Sequence, residues 1–483
     1  MLAVGPKKMN KRTLIKSGTV ITHKQSFQAD VLIEGEKIVR VAPNIEAANA
    51  EVVDAAGKLI LPGGVDPHTH FDLEMFDTVS SDDHYTGHKA AAFGGTTTVM
   101  DFIPQTLGSN LREDVARWHA KADGKAAVDW GFHMNITHLD ARVESEIPKL
   151  LDEGIATLKV FTAYNGRLRL QDDEIFRVLK IAREQGMLTM LHAEDGDEIE
   201  ALVAKALAAG RTSPEWHGRT RPAPGAVEAV RRACELAEKA DAALYVVHMN
   251  TAGGVEQVKL SRQRGARVMG ETCPQYLFFT EEELAGPQGA KWVASPPLRS
   301  KVDNLSLWKA LSENRLQVVG TDHCPFFFNG EQSIDYEGKP IAIPGKELGA
   351  HDFTKIPNGL PMVGDRMPLL WSYGVNDGRI SPEQFVALTS TNPAKIFGLY
   401  PRKGVIEMGA DADILIWDSE HELTYGLAHS KQRTDYNLFE GWKLKGYPEH
   451  VYLRGQLIVR RGEWLGRAGM GQFLERSSSG DFL

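Results

Sequence analysis

Hydrophobic and polar positions divide this chain into three textures. In residues 13–61 the runs TLIKSGTVIT, ADVLIEGEKIVRVAP and AEVVDAAGKLIL alternate apolar with polar positions and break at Gly or Asn. That is the period of antiparallel strands with one face buried. Similar material returns only near the far end, as ADADILIWD and EHVYLRGQLIVRRGEWL. The first group is too small to close a core alone, so the pattern predicts one small β-sandwich domain built from both chain termini.

Between these ends the period changes. Eight short, nearly continuous apolar runs follow one another: VDPHTH, TTTVMDF, WGFHMNIT, ATLKVFTAY, LTMLHAED, ALYVVHMN, RVMGETCP and LQVVGTDHCP. Segments of helical spacing separate most of them, among them LREDVARWHAKAD, DDEIFRVLKIAREQG, GAVEAVRRACELAEKA and GVEQVKLSRQRG. Eight β-α units in series predict an α/β architecture, a TIM-like (β/α)8 barrel with its active-site groups at the C-terminal ends of the strands. No dinucleotide-binding or P-loop glycine fingerprint supports the rival, an open doubly wound sheet. The expected division is residues 1–60 for the first part of the sandwich, 61–400 for the barrel, and 401–483 for the rest of the sandwich and a polar tail.

Composition narrows the function classes. A chain of 483 residues with 42% hydrophobic and 25% charged positions can bury a large core. Its net charge of −9 argues against nucleic acid or a membrane surface as partner. No apolar run is long enough to span a bilayer. Three scattered cysteines, Cys234, Cys273 and Cys324, do not make a disulfide framework and suit a reducing cytoplasm.

The chemistry concentrates at the ends of the barrel runs. His68 and His70 are two residues apart on the first run, and side chains at i and i+2 of a strand share one face. Lys159 lies in the fourth run, His192 ends the fifth, His248 the sixth and Asp322 the eighth. Singly, each reads as a hydrogen-bonded structural residue; together, at corresponding strand ends, they converge on one mouth and suggest a metal site. Lys159 stands among residues expected to be buried, where the neutral amine is favoured over the ammonium. A neutral amine can add carbon dioxide to give a carbamate able to bridge two metal ions. A salt-bridged lysine and a Schiff-base lysine are the alternatives at this point.

The motifs HTH (68–70), GGTTTVMDF (94–102), LKVFTAY (158–164), HAED (192–195), VVHMN (246–250), ETCPQYL (271–277), SPPLR (295–299), GTDHCPF (320–326) and IPNGLP (356–361) resemble the cyclic amidohydrolases, in particular the hydantoinase and dihydropyrimidinase branch. The resemblance extends through TSTNPAKIFGLYPRKGVIEMGADADILIWD and so covers nearly the whole chain. It implies a zinc-dependent hydrolase that opens 5-substituted hydantoins or dihydropyrimidines to N-carbamoyl amino acids, commonly as a homotetramer. It further implies two Zn2+ per subunit, with His68, His70 and Asp322 on one ion and His192 and His248 on the other. Lys159, as N6-carboxylysine, would bridge them. By the same resemblance Asp322 is the proton carrier, Tyr164 stabilises the oxyanion, and the backbone at Ser295 and Asn358 grips the ring amide.

Three other readings remain beside it. Dihydroorotases generally carry an arginine soon after the H-x-H pair to hold the substrate carboxylate, whereas Phe71 and Asp72 follow here. An allantoinase fits the loops less well. A non-catalytic assembly protein of the same fold would lack the metal ligands, and this chain has them all. The chain departs from the branch in two loops. DLEMFDT carries Glu74 and Asp77 where Pro and Gly are expected, and NGRLRL places Arg167 and Arg169 after Tyr164. Leu73, Met75, Phe76, Leu168 and these arginines are the candidates for recognising the exocyclic substituent.

Overall fold

The computed structural model describes residues 11–75, 77–330, 332–336 and 339–478. Its centre is a parallel eight-stranded sheet made of β1 (Gly64–Thr69), β2 (Thr96–Ile103), β3 (Asp129–Asn135), β4 (Thr157–Phe161), β5 (Leu188–His192), β6 (Leu244–Val246), β7 (Val268–Thr272) and β8 (Val318–Val319). The strands pair in sequence order, each with its predecessor. All positions of β1, β2 and β3 are buried, the consequence of having side chains on one face and helices on the other. The eight predicted runs are these eight strands.

The seam between β8 and β1 is closed by side chains and single bridges instead of a ladder. The Arg366 guanidinium, fully buried, donates to the Val65 carbonyl at 3.0 Å and the Val319 carbonyl at 2.9 Å, one on each side of the seam. Above it Asp66 accepts from Thr321 Oγ1 at 2.6 Å, and the His70 amide donates to the His323 carbonyl at 2.8 Å. Closure therefore fixes the first-strand histidines against the segment carrying Asp322.

The helices Leu111–Ala122, Asp172–Gln185, Ala223–Ala240 and Ala252–Gln263 fall on the stretches with helical spacing. Asn110 and Thr251 cap the first and last, each side chain accepting a backbone N–H three residues on. In Ala223–Ala240 the buried stripe consists mostly of small residues, Ala226, Ala229, Ala233 and Ala237, which lets the helix lie close to the sheet.

Nine strands from both termini form a second sheet. Strand Arg12–Ile21 is its branch point, pairing antiparallel with Ser26–Glu34 and parallel with both Glu51–Asp54 and Leu59–Pro62. Leu59–Pro62 pairs antiparallel with Ile414–Thr424, which joins the N-terminal strands to the C-terminal ones. The sheet folds over a core that includes Ile15, Val31, Ile38, Ile60, Ile414 and Tyr452, drawn from both ends of the chain. Leu59–Pro62 runs almost directly into β1, so the sandwich holds the strand that carries the H-x-H pair. Two features had no signal in the apolar pattern: a hairpin pairing Gln332–Tyr336 with Lys339–Ile343, and π-helical turns at Trp371–Val375 and Ala387–Thr391. No helix among the described residues is long and apolar enough to cross a membrane.

Candidate active site

The C-terminal ends of the barrel strands bring the six expected ligand residues to one mouth. His68 lies on β1 and His70 one residue beyond it; Lys159 is within β4, and His192 ends β5. His248 and Asp322 lie past the regular ends of β6 and β8, with φ of 38° and 53°, left-handed backbone that breaks the extended run of each strand. Tyr164, beyond β4, has φ 67°.

Two groups of donors result. Ligand atoms of His68, His70 and Asp322 lie within 4.8 Å of one another. Both imidazoles direct Nε2 at the same oxygen, Asp322 Oδ1, at 3.1 Å. Beside them His192 Nδ1 and His248 Nε2 face each other at 2.9 Å, and His248 Nδ1 has no partner among the described residues. Lys159 is buried, its Nζ 5.0 Å from the centre of the Phe102 ring and 5.1 Å from that of Phe161.

The outer nitrogens of two of these histidines are already engaged. His68 Nδ1 bonds Glu271 Oε1, and His192 Nε2 bonds Glu194 Oε2 at 2.9 Å. On a neutral imidazole such carboxylates fix the tautomer and leave the inward nitrogen as a lone-pair donor. Glu271 also accepts from the Tyr245 hydroxyl at 2.9 Å and from the His248 amide at 3.3 Å, so one buried acid braces both groups. Neither Glu194 nor Glu271 was singled out in the sequence. The signal was there: an acid two residues after His192, and an acid inside the buried run VMGET, the same anomaly that marks Lys159.

Electrostatics at the mouth favours an added cation. Burial opposes charge on His68, but the carboxylates of Glu271 and Asp322 outweigh it and push its pKa up to about 9. Burial likewise works against the Asp322 carboxylate, which His68 and His70 nevertheless hold well below the usual range. Burial lowers His70 to about 4 and Lys159 to about 8. The donor set of imidazole nitrogens, a carboxylate and a readily neutralised amine thus fits divalent zinc.

A pocket of about 180 Å³ opens over these residues. Tyr164, Ser295 and Asn358 line it, the last two joined by an Asn358 Nδ2 to Ser295 Oγ bond of 3.0 Å. Leu73, Met75 and Leu168 form part of its wall, as expected of the two loops, and Phe76 lies outside the described residues. Glu74–Met75 pairs with Thr78–Val79 as a short hairpin beside the mouth. The two loop arginines do not line this pocket. Arg169 donates to both carboxylate oxygens of Asp197, at 2.5 and 2.9 Å, and to Asn165. Arg167 lines a neighbouring cavity of about 320 Å³ that shares Tyr164 and Asn358 as a wall.

Residues 59–458 match the sequence model of the amidohydrolase family. The chain belongs to the amidohydrolase family. Within it, the D-hydantoinase of Geobacillus stearothermophilus is 45% identical over 473 residues, 97% of this chain and 98% of that protein. The D-hydantoinase of Streptomyces coelicolor is 43% identical over 477 residues, 97% of this chain and 99% of the relative. The crystal structure of dihydropyrimidinase from Brevibacillus agri NCHU1002 superposes with a TM-score of 0.93 at 45% identity, covering 97% of this chain and 99% of that one. The L-hydantoinase of Arthrobacter aurescens, at 28% identity, superposes with a TM-score of 0.85 over 97% of this chain and all of its own. Amidohydrolases of this kind are metal-dependent, and the His-His-Asp cluster lies where the barrel presents its chemistry.

Proposed function

We propose that this amidohydrolase opens the ring amide of 5-substituted hydantoins or dihydropyrimidines to give N-carbamoyl amino acids, using two zinc ions per subunit. The observation that carries the reading is the double donor set at the barrel mouth, in a chain similar over nearly its full length to proteins named D-hydantoinase. His68, His70 and Asp322 would hold one ion and His192 and His248 the other, with Lys159 carboxylated between them. When bound, the ions supply an activated water near neutral pH and polarise the carbonyl that it attacks.

The chain's own groups do the rest. Asp322, held ionised, is the base that takes the proton of the attacking water and returns it to the departing ring nitrogen. Burial raises the Tyr164 phenol above its ordinary range, so it stays protonated and can donate to the oxyanion. The backbone at Ser295 and Asn358 would meet the ring amide. The hand of the relatives at 45% identity, against 28% for the L-hydantoinase, favours D-5-substituted substrates. Homotetramer assembly, a cytoplasmic location and a division of the chain near residues 60 and 400 complete the reading.

Hydantoins, dihydrouracil, allantoin and dihydroorotate assayed side by side test it, with metal quantified on the same preparation. Ring opening of hydantoins or dihydrouracil with about two zinc ions per chain is expected. Dihydroorotate or allantoin as best substrate overturns the assignment, as does full activity in metal-free protein.

A further inference from the structure

The two loops that carry Ser295 and Asn358 are tied together by a buried lysine that the chemistry above does not use. Lys346 opens the short turn Lys346–Gly349 and is 0% exposed. Its Nζ donates to the Val293 carbonyl and to the Pro357 carbonyl, each at 3.0 Å. Val293 lies two residues before Ser295, and Pro357 immediately precedes Asn358. The Val293 carbonyl also accepts the Gly359 amide at 3.1 Å, so it meets Lys346 from one side and the Asn358 loop from the other. The Lys346 amide donates to the Phe327 carbonyl at 2.8 Å, which anchors the lysine to the segment that follows Asp322.

Among the described residues no carboxylate lies within ion-pair distance of the Lys346 ammonium. A buried amine held only by carbonyls is costlier to bury than a methionine of similar reach. What it supplies in return is a defined separation between two strips of backbone. A ring amide offers its N–H and C=O on adjacent atoms, so both loops must present their groups at once. A small change in their spacing loses one of the two bonds.

We propose that Lys346 is a positioning residue for substrate: by bridging Val293 and Pro357 it sets the distance between the two backbone positions that grip the ring. This rests on the reading of Ser295 and Asn358 given above. It predicts an effect on binding of the ring and none on the metal donors, none of which Lys346 touches.

The test is Lys346→Met in the full chain, with KM, kcat and metal content measured against wild type on a five-membered hydantoin and on six-membered dihydrouracil. A rise in KM of about tenfold is expected, the upper end of what one lost amide–backbone hydrogen bond costs, with kcat within about twofold and metal content unchanged. The KM ratio between the two ring sizes should shift as well, because a relaxed spacing does not penalise both rings equally. Lys346→Gln, which keeps an N–H donor with less reach, serves if the methionine variant does not fold, and a smaller rise in KM is expected there. Unchanged KM with lowered kcat and metal content would assign Lys346 to general packing and overturn the proposal. Wild-type turnover separates the two readings: if wild type opens these rings and the variant binds them equally well, the Lys346 assignment alone fails. If wild type opens no ring amide, the reading of Ser295 and Asn358 fails and takes Lys346 with it.

Discussion

Two buried polar clusters stand at opposite ends of the barrel strands. At the floor, where the strands begin, the Lys403 ammonium lies 2.6 Å from Asp129, 2.8 Å from Asp413 and 3.0 Å from Asp411. Arg454 adds a second cation to Asp129, and its amide donates to Asp413 at 2.8 Å. Lys37 and Arg402 also reach Asp411. Every acid there has a cation, and the joint between barrel and sandwich is complete once the chain has folded. At the mouth, imidazole nitrogens face one another or share one oxygen, and a lysine lies over phenylalanine rings. Two acids brace the histidines from outside while their inner lone pairs converge. Burial of charge alone does not mark a functional site. What distinguishes the mouth is a cluster of donors, His68, His70 and Asp322, close enough together to hold a metal ion.

Removing one member of each cluster should therefore have opposite signatures, and the largest effect is expected at the mouth. Lys159→Ala should abolish activity and metal retention while the circular dichroism of the fold persists, with partial recovery when a small carboxylic acid is added. Full activity in that variant would exclude a bridging carbamate. Tyr164→Phe should keep its metal and lose about 10²-fold in kcat, the scale of one oxyanion donor. A loss confined to KM would instead make Tyr164 a wall of the pocket.

At the floor, Lys403→Met should cost on the order of 3–5 kcal/mol in denaturant unfolding, because it leaves Asp413 buried without a side-chain cation and takes one of the cations from Asp129 and Asp411. Metal content and KM of the folded fraction should not change. Acid gives a second view of the same joint. Burial opposes the Asp411 carboxylate, but Lys403, Lys37 and Arg402 lower its pKa to about 2. Its contribution is thus present above the ordinary carboxylate range and is lost as pH falls towards 2. Wild type should lose stability in that window, and Lys403→Met should show a weaker dependence. If Lys403→Met loses metal without losing stability, the distinction between the two ends collapses.

The same contrast explains what could be read from the sequence. The barrel strands were legible because strands buried on both faces leave unbroken apolar runs, and the candidate ligand residues stood out because polar His, Lys and Asp fall within or at the ends of those runs. The floor was not, since Asp129, Asp411 and Asp413 look like ordinary turn acids until the fold brings Lys403 between them. Glu194 and Glu271 left a trace in the sequence, an acid just after His192 and an acid inside a buried run, but because they act through histidines they add no ligand spacing of their own and were passed over. The branching of the terminal sheet at Arg12–Ile21 was hidden as well, because alternation gives each strand its buried face but not its partners.

The smallest expected effect concerns substrate choice, and it tests whether the neighbouring cavity takes part. Arg169 is held by both oxygens of Asp197, so Arg169→Ala should leave the kcat/KM ratio between an acidic and an aromatic hydantoin unchanged within about twofold. Arg167 faces the cavity on the far side of Tyr164, not the metal pocket, so Arg167→Ala should behave in the same way. Leu168 and Met75 line the pocket, and shortening either to Ala should lower kcat/KM for the aromatic hydantoin about five- to tenfold while sparing dihydrouracil, which has no substituent to lose contact. A fall in the acidic-to-aromatic ratio on Arg167→Ala would show that a substituent reaches past Tyr164, and the two cavities would then have to be treated as one binding site.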